Sequence, residues 1–270
     1  MLTLILGGPA GCALAAKLAW SPKRPRVALI EAGHRNDDAS HTVDGQRWAT
    51  FTNGDLNLGY KTTPQEHCNG RQIDYSRGKV LGGSSAINFG VYTVGARDDY
   101  NQWASVVGDD FFQWDRMQAR FRELETFDGT ITQAAHAKYA APKASDHGTQ
   151  GRLRVGFASE WEQDLPLMLD VFNEVGIKSN PDHNSGDPIG MAVVHNTSHQ
   201  GRRVSATDLL EGAPDNLTII TQAPVQRVIL QGKKAIGVES RGRRCTSSSM
   251  IIFIEWGADS LQFSLRKRSS

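Results

Sequence analysis

The order strand, glycine turn, helix, strand in the first 31 residues is the feature that most constrains the fold. Leu2–Leu6 is a continuous apolar run, as in a parallel strand that is buried on both faces. A Gly-Gly-Pro turn at 7–9 follows, and Ala10–Ala19 is rich in residues with high helix propensity. A second apolar run, Val27–Ile30, ends at Glu31. This order predicts a nucleotide-binding βαβ unit.

Two other interpretations of the same stretch fit less well. A secretory signal needs positive charge before its apolar run, whereas the first basic residue here is Lys17. A membrane-spanning helix needs a longer run without the break at 7–9. We therefore favour the nucleotide-binding interpretation, with an ordinary βα turn as the alternative.

Each part of the βαβ unit has a physical task. Glycines allow the backbone to approach a pyrophosphate, and the helix N-terminus offers unpaired amides and a positive dipole end. Glu31 follows Gly11 by about 20 residues, the offset at which a carboxylate can accept hydrogen bonds from ribose hydroxyls. Leu6 replaces the first glycine of the G-x-G-x-x-G fingerprint. Because leucine lacks the conformational freedom of glycine, we expect Leu6 to weaken the site. The unit by itself does not distinguish NAD from FAD.

Composition excludes several classes of protein. Thirty lysine and arginine residues face 29 aspartate and glutamate residues, so no strong field attracts nucleic acid or an anionic membrane. Cys12, Cys68 and Cys245 are far apart, without the spacing of a zinc site or a disulfide framework. No later run is apolar enough to span a bilayer. We expect a cytoplasmic protein that binds neither nucleic acid nor membrane.

Periodicity predicts further elements along the chain. Apolar residues at helical spacing predict one helix over Asp115–Phe127 and a second around Leu165–Phe172, which Gly176 should terminate. Three β-rich runs predict strands at Leu217–Thr221, Val225–Leu230 and Ala235–Glu239. The last two strands should form an antiparallel hairpin.

The segment 77–88, RGKVLGGSSAIN, is a glycine- and hydroxyl-rich turn that leads into a helix start. Its backbone amides, with Ser84 and Ser85 as additional donors, can surround an anion. A plain Gly-Ser loop is equally consistent with the composition.

The longer stretch RGKVLGGSSAINFGVYTVGARDDYNQWA resembles the first signature of the glucose–methanol–choline (GMC) oxidoreductases, flavoenzymes that oxidise alcohols. GGPAGCALAAKL, together with LIEAG, resembles the FAD-binding start of the same family. The resemblance implies an α/β fold: a Rossmann-type FAD/NAD(P)-binding domain with an incomplete α+β substrate region. It places the FAD-binding region at 1–240, with part of the substrate region inserted at about 100–205, and a divergent tail at 241–270.

The resemblance also implies which residues hold FAD. They form a pyrophosphate turn, an acid for the adenosine ribose with its neighbour, a segment along the flavin, and a strand that meets the adenine. In chain order they are Gly8, Pro9, Ala10, Gly11, Glu31, Ala32, Gly82, Gly83, Ser84, Asn88, Phe89, Gly90, Val91 and Val225. The signature segment contains no histidine for covalent attachment, so we expect non-covalent FAD.

After Glu239 the resemblance stops, and no residue matches the C-terminal histidine and its histidine or asparagine partner in the family. We therefore expect a truncated member with no catalytic residue, whose ancestral substrate is a small-molecule alcohol. Two alternatives remain open. One is a non-catalytic flavin-binding fragment or interaction protein, and the other is a NAD-dependent dehydrogenase.

Other histidines and acids are weaker candidates for a site. His195 and His199 have the spacing of a metal pair on a helix, but no glutamate lies between them. The oxygen-rich stretch 182–187 lacks the bidentate glutamate of a calcium loop and predicts an ordinary turn. His67 and His147 lie in polar stretches and should be solvated. We predict no metal site.

Overall fold

A computed structural model describes residues 2–37, 42–131, 133–158, 160–241, 250–256 and 261–267. The chain divides into two compact units. The first unit comprises 1–42, 46–89 and 205–270, and the second comprises 43–45 and 90–204.

The helices and strands are short and are joined by many turns. The α-helices are α1 (Pro9–Ala19), α2 (Arg47–Thr52), α3 (Arg97–Val107), α4 (Trp114–Leu124) and α5 (Leu165–Glu174). The strands are β1 (Leu2–Leu6), β2 (Arg26–Ile30), β3 (Val91–Tyr92), β4 (Glu125–Asp128), β5 (Leu153–Gly156), β6 (His195–Asn196), β7 (Ser198–His199), β8 (Arg202–Arg203), β9 (Leu217–Ile220), β10 (Val225–Gln231), β11 (Lys234–Arg241), β12 (Met250–Trp256) and β13 (Leu261–Lys267). Short 3-10 helices occur at Asp44–Gln46, Glu66–Cys68, Gly83–Ala86, Asp110–Phe112, Ala134–Tyr139, Ala144–Asp146 and Ala206–Leu210.

The first unit contains the predicted parallel sheet, in the order β1-β2-β9. Residues 27–30 of the central strand β2 are fully buried; α1 packs against this strand, and Ile30 packs with Ala223 and Val238. This burial explains the continuous apolar pattern of that strand. Helix α1 buries a row of small residues, Cys12, Ala15, Ala16 and Ala19, and can therefore lie close to the strands.

The predicted hairpin is also confirmed, because β10 and β11 pair antiparallel through a turn at 231–234. β12 and β13 extend this hairpin to a four-stranded antiparallel sheet. Both of these strands lie in the segment 241–270 that the sequence predicts to be a divergent tail.

The second unit is built on a four-stranded mixed sheet in the order β3-β6-β5-β4. Here one prediction is wrong, because the helix expected to reach Phe127 ends at Leu124. Phe127 lies instead in β4, which pairs parallel with β5, and it packs against the core cluster that contains Phe157 and Leu169. The predicted end of α5 is confirmed, since Gly176 has a φ of 90° and its amide donates to the carbonyl of Asn173.

None of the helices in the described ranges has both the length and the apolar character that crossing a membrane requires.

Candidate cofactor-binding site

The turn between β1 and α1 presents an open helix N-terminus. The Gly7 amide donates to the carbonyl of Ile30 at 2.9 Å, which ties the turn to the end of β2. Gly8 is the N-cap residue in an extended conformation, and no side chain caps the helix. The first turn of α1 carries no acid, and both Pro9 and Ala10 are exposed. The uncapped amides and the positive end of the helix dipole can therefore bind an anion such as a pyrophosphate.

The two glycines of this turn are needed for different reasons. A Cβ atom on Gly11 would overlap the carbonyl oxygen of Leu6, so only glycine lets α1 pack this closely on β1. A Cβ on Gly8 would meet no protein atom within 4 Å. The Gly8 side of the turn therefore faces open space that a ligand can occupy.

Glu31 is buried beside this turn. The amide of Gly33 donates to Glu31 Oε1 at 2.8 Å, and a Cβ on Gly7 would lie 2.7 Å from Glu31 Oε2. Burial raises the pKa of the Glu31 carboxyl, while hydrogen bonds from the amides of Gly33 and Ala32 oppose this rise. The end of β2 thus holds an acceptor group next to the anion-binding turn, as the sequence predicts.

The glycine-rich segment 77–88 first runs beside the residues that follow Glu31. A Cβ on Gly33 would overlap the carbonyl of Lys79, so the two backbones are in close contact. Two residues further on, the amide of Leu81 donates to the carbonyl of His34 at 2.9 Å.

The same segment then crosses the turn that precedes α1. The amide of Gly82 donates to the carbonyl of Gly7 at 2.9 Å. A Cβ on Gly83 would lie 2.9 Å from the Cα of Gly8, and both Gly82 and Gly83 have positive φ angles of 90° and 54°. Glycine is therefore required at both positions.

The serines of the segment are less available than the sequence suggests. The Ser84 hydroxyl accepts a hydrogen bond from the amide of Gly78 at 3.2 Å. Ser85 donates to the carbonyl of Gly82 at 2.6 Å and accepts from the amide of Ala206 at 3.0 Å. The expectation that Ser85 acts as a donor to an anion is therefore wrong, because its proton is already used within the protein.

The four residues that follow fall into different units. Asn88 and Phe89 are exposed and belong to the first unit. Gly90 and Val91 belong to the second unit, where Gly90 is buried with a φ of 75° and its carbonyl accepts from the amide of Thr197 at 2.8 Å. Val91 begins β3 and is exposed.

Val225 lies near the acid at the end of β2. It packs against Ile30, Ala223 and Val238, and the amide of Ala223 donates to the carbonyl of Glu31 at 2.9 Å. The first unit therefore brings together the turn at 7–11 that is predicted to hold the pyrophosphate, Glu31 with Ala32, the segment 82–89 and Val225.

The backbone conformation of Leu6 differs from what the sequence suggests. Among the described residues, those other than glycine with positive φ are Arg24, Asn69, Gln200 and Gln222, so Leu6 adopts an ordinary backbone conformation. The idea that Leu6 deprives the turn of conformational freedom is therefore wrong. Its side chain is instead 62% exposed beside the turn, where it can obstruct a ligand by its size.

The cysteines that the structure describes are free thiols. Cys12 is buried under the turn, and its Sγ lies 3.4 Å from the carbonyl oxygen of Gly7. Burial raises the pKa of the Cys12 thiol to about 11. Cys68 is partly exposed, and Cys245 lies outside the described residues.

A family profile described as GMC oxidoreductase matches residues 4–253. The chain belongs to this family. Pyranose dehydrogenase 3 of Leucoagaricus meleagris is 33% identical over 230 residues, which is 84% of this chain and 38% of that protein. An alcohol dehydrogenase [acceptor] of Pseudomonas putida is 34% identical over 242 residues, covering 87% of this chain and 41% of that protein. The chain thus spans about two-fifths of the length of these curated relatives.

Solved structures of GMC oxidoreductases have the same fold. Pyridoxine 4-oxidase from Mesorbium loti superimposes with a TM-score of 0.78 at 28% identity, covering 90% of this chain and 46% of that one. A FAD-dependent oxidoreductase from Chaetomium thermophilum gives a TM-score of 0.79 at 25% identity, covering 93% and 43%. The N-terminal domain of the family binds FAD. FAD, rather than NAD, is therefore the cofactor to which the βαβ unit corresponds.

A second polar cluster, in the other unit of this GMC oxidoreductase chain, was missed by the sequence patterns. His147 is buried and stacks on Phe127 with ring centroids 3.9 Å apart. Its Nδ1 lies 3.0 Å from Glu125 Oε1, and its Nε2 lies 3.0 Å from Asp182 Oδ2. The prediction that His147 is solvated is therefore wrong. The neighbouring Gly148 lies close to the backbone of α4, because a Cβ there would overlap the carbonyl oxygen of Arg122.

His147, Asp182 and His195 place three ligand atoms within 4.8 Å of one another, as a metal site would. The hydrogen bonds do not favour a metal. Asn184 Oδ1 accepts from the amide of Val94 at 3.0 Å, so its Nδ2 must donate to His195 Nδ1 at 3.1 Å. Burial lowers the pKa of His195 to about 3, and the neutral ring therefore carries its proton on Nε2, the atom that faces Asp182. In this tautomer His195 offers no lone pair at the nitrogen that faces Asp182.

Proposed function

We propose that this chain binds FAD non-covalently, as the cofactor-binding part of an oxidoreductase that removes hydride from the CH–OH group of an alcohol. The observation that carries the proposal is the exposed, uncapped N-terminus of α1, open at Gly8 and lying beside the buried carboxylate of Glu31. Membership of a family whose N-terminal domain binds FAD supports it.

Different residues of the first unit bind different parts of FAD. The amides at the start of α1 hold the pyrophosphate, Glu31 accepts hydrogen bonds from the adenosine ribose, and the backbone of Val225 meets the adenine. The segment 82–89 lies along the flavin and contains no histidine for covalent attachment. When FAD is bound, it supplies the hydride acceptor.

Proton removal from the alcohol needs a base in hydrogen-bond reach of the hydroxyl group. The histidines of the buried cluster cannot serve, because both ring nitrogens of His147 contact carboxylates and His195 is 0% exposed. No residue of this chain matches the C-terminal histidine of the family. We therefore propose that these 270 residues, taken by themselves, bind FAD and supply no base for the oxidation of alcohols.

The first prediction separates binding from turnover. We expect the purified chain to take up FAD, and its flavin absorption to persist during anaerobic incubation with pyranose sugars, primary alcohols, choline or pyridoxine. The loss of general-base catalysis alone slows the reaction by about two to four orders of magnitude. Stopped-flow absorption at the flavin band measures the rate of flavin reduction. Rapid bleaching with any of these substrates would show that another residue acts as the base.

A second prediction concerns the fingerprint position. Leu6→Gly should increase FAD affinity by about threefold to tenfold, because it removes an exposed side chain from the approach to the turn. Titration with FAD, followed by quenching of flavin fluorescence, measures the change. The exposed Leu14 on α1 provides the control, since Leu14→Ala should leave the affinity unchanged. An affinity that falls in Leu6→Gly would indicate that the leucine contributes contacts to the cofactor.

A further inference from the structure

Helix α5 carries apolar side chains on two faces, of which only one is covered. Leu165 and Leu169 lie on the stripe that the sequence predicts, and they pack into the core of the second unit. A second set of apolar residues faces solvent, with exposures from 43% to 70%. This set consists of Leu167, Met168, Val171 and Val175. A helix that is apolar around most of its circumference is typically covered on both sides.

The exposed apolar surface continues past the end of α5. Ile177 follows the helix, and its amide donates to the carbonyl of Phe172 at 2.9 Å. Ser179 pairs in parallel with Met191, so the segment that contains Ile189 runs beside the segment that contains Ile177. Ile189 is 82% exposed. We call the six exposed residues the α5 patch: Leu167, Met168, Val171, Val175, Ile177 and Ile189. Contiguous exposed apolar side chains of this kind are typical of a protein interface.

The two ends of the α5 patch carry charges of opposite sign. Asp164 precedes the helix and Lys178 follows the patch, and both residues are exposed. Val171 lies seven positions from each of these charged residues, and four positions from both Leu167 and Val175. A two-fold axis at Val171 would therefore pair Leu167 of each copy with Val175 of the other. The same axis would bring Asp164 of each copy to the end of α5 that carries Lys178 in the other.

We propose that the α5 patch is the interface of a homodimer, in which the α5 helices of two copies pack antiparallel about an axis at Val171. A two-fold interface must be complementary to itself, and the α5 patch meets this condition in its apolar residues and in its flanking charges. The patch is smaller than a standard interface, so we expect a weak dimer with a dissociation constant of about 10 to 100 µM. The inference is independent of the proposed cofactor site, because all the residues that carry it belong to the second unit.

Analytical ultracentrifugation of the purified chain, over concentrations that span this dissociation constant, tests the proposal. We expect a monomer that converts to a dimer as the concentration rises. Val171→Glu should weaken self-association by at least about tenfold, because it places two like charges face to face at the axis. Val106 on α3 provides the matched control, since it is 71% exposed outside the patch and Val106→Glu should leave self-association unchanged. Circular dichroism shows whether each variant keeps its fold.

Charge reversal tests the antiparallel arrangement without changing the apolar residues. At low salt, Asp164→Lys and Lys178→Asp should each weaken the dimer by about threefold, because each variant places like charges together. The double variant should restore the dimer, since it exchanges the two charges and keeps their attraction. Both positions are exposed, so these variants also decide the question if Val171→Glu unfolds.

The other outcomes overturn the proposal. A chain that stays monomeric at every concentration, or a dimer that is unchanged in Val171→Glu, means that the α5 patch is not an interface between copies. Loss of the dimer in Val106→Glu assigns the interface to α3 instead. Single reversals without effect, or a double variant that does not restore the dimer, overturn the antiparallel arrangement.

Discussion

Replacing Gly11 with alanine should destabilise the first unit by about 3 kcal/mol or more, because the new Cβ overlaps backbone rather than a movable side chain. The Cβ would overlap the Leu6 carbonyl oxygen and lie 2.9 Å from the Leu6 carbonyl carbon. The strand cannot move away, since β1 is hydrogen-bonded to β2 along its whole length. Helix α1 would have to lift from the sheet, exposing its buried face. Urea unfolding measures the loss.

Gly8→Ala is the matched control: it should leave the folding stability unchanged and weaken FAD binding. Its φ of −72° suits alanine, and a Cβ there meets no protein atom within 4 Å. Folding stability should therefore stay within about 0.5 kcal/mol of the unmodified chain. FAD affinity should fall by at least about tenfold, equivalent to 1.4 kcal/mol, because the methyl group occupies the space of the pyrophosphate. Unchanged affinity in this variant would show that the pyrophosphate lies elsewhere.

The parts of the fold that the sequence predicts well are those whose signal is local. β1, α1 and β2 were predictable because an apolar run, a glycine turn and an alanine-rich stretch each specify a structure within a few residues. Glu31 was predictable because it directly follows a buried strand. The end of α4 was not, because the apolar spacing continues through Phe127 while strand pairing with β5 overrides it.

Features that depend on distant residues were not accessible from local patterns. The rings of Trp48 and Phe51 in α2 pack on Phe89, about 40 residues later, and no periodic signal connects the two segments. His147 lies in a polar stretch, yet its partners are 22 and 35 positions away along the chain. The glycine at 148 was the available hint, since a glycine inside a non-turn segment often indicates close backbone approach.

The buried histidines make the stability of the second unit depend on pH in two directions. Burial lowers the pKa of His147, but its hydrogen bonds to Asp182 and Glu125 outweigh this effect and raise it to about 9. Burial lowers the pKa of His195 to about 3. The folded unit therefore favours a charged His147 together with a neutral His195.

The two shifts have opposite consequences. A histidine whose pKa is raised on folding stabilises the fold fully below its unfolded value, and the benefit is lost as pH rises through the folded value. His147 thus loses its contribution between pH 6.5 and about 9. A histidine whose pKa is lowered stabilises the fold above its unfolded value, and the benefit is lost as pH falls. His195 loses its contribution below pH 6.5. The free energy of unfolding should be largest near pH 6.5.

His147→Gln should remove the alkaline part of this dependence. In the unmodified chain, the free energy of unfolding should fall by up to about 3 kcal/mol between pH 6.5 and 9.5, because folding raises the pKa of His147 from 6.5 to about 9. In His147→Gln the free energy of unfolding should be lower at pH 6.5 and nearly independent of pH up to 9.5, because the histidine whose pKa is raised on folding is absent. His67→Gln changes an exposed histidine and should leave the alkaline fall intact. Urea unfolding, followed by hydrogen exchange of the β4 and β5 amides, reports on this unit. An alkaline fall that persists unchanged in His147→Gln would mean that another group causes it and that His147 is already neutral in the folded chain at pH 6.5.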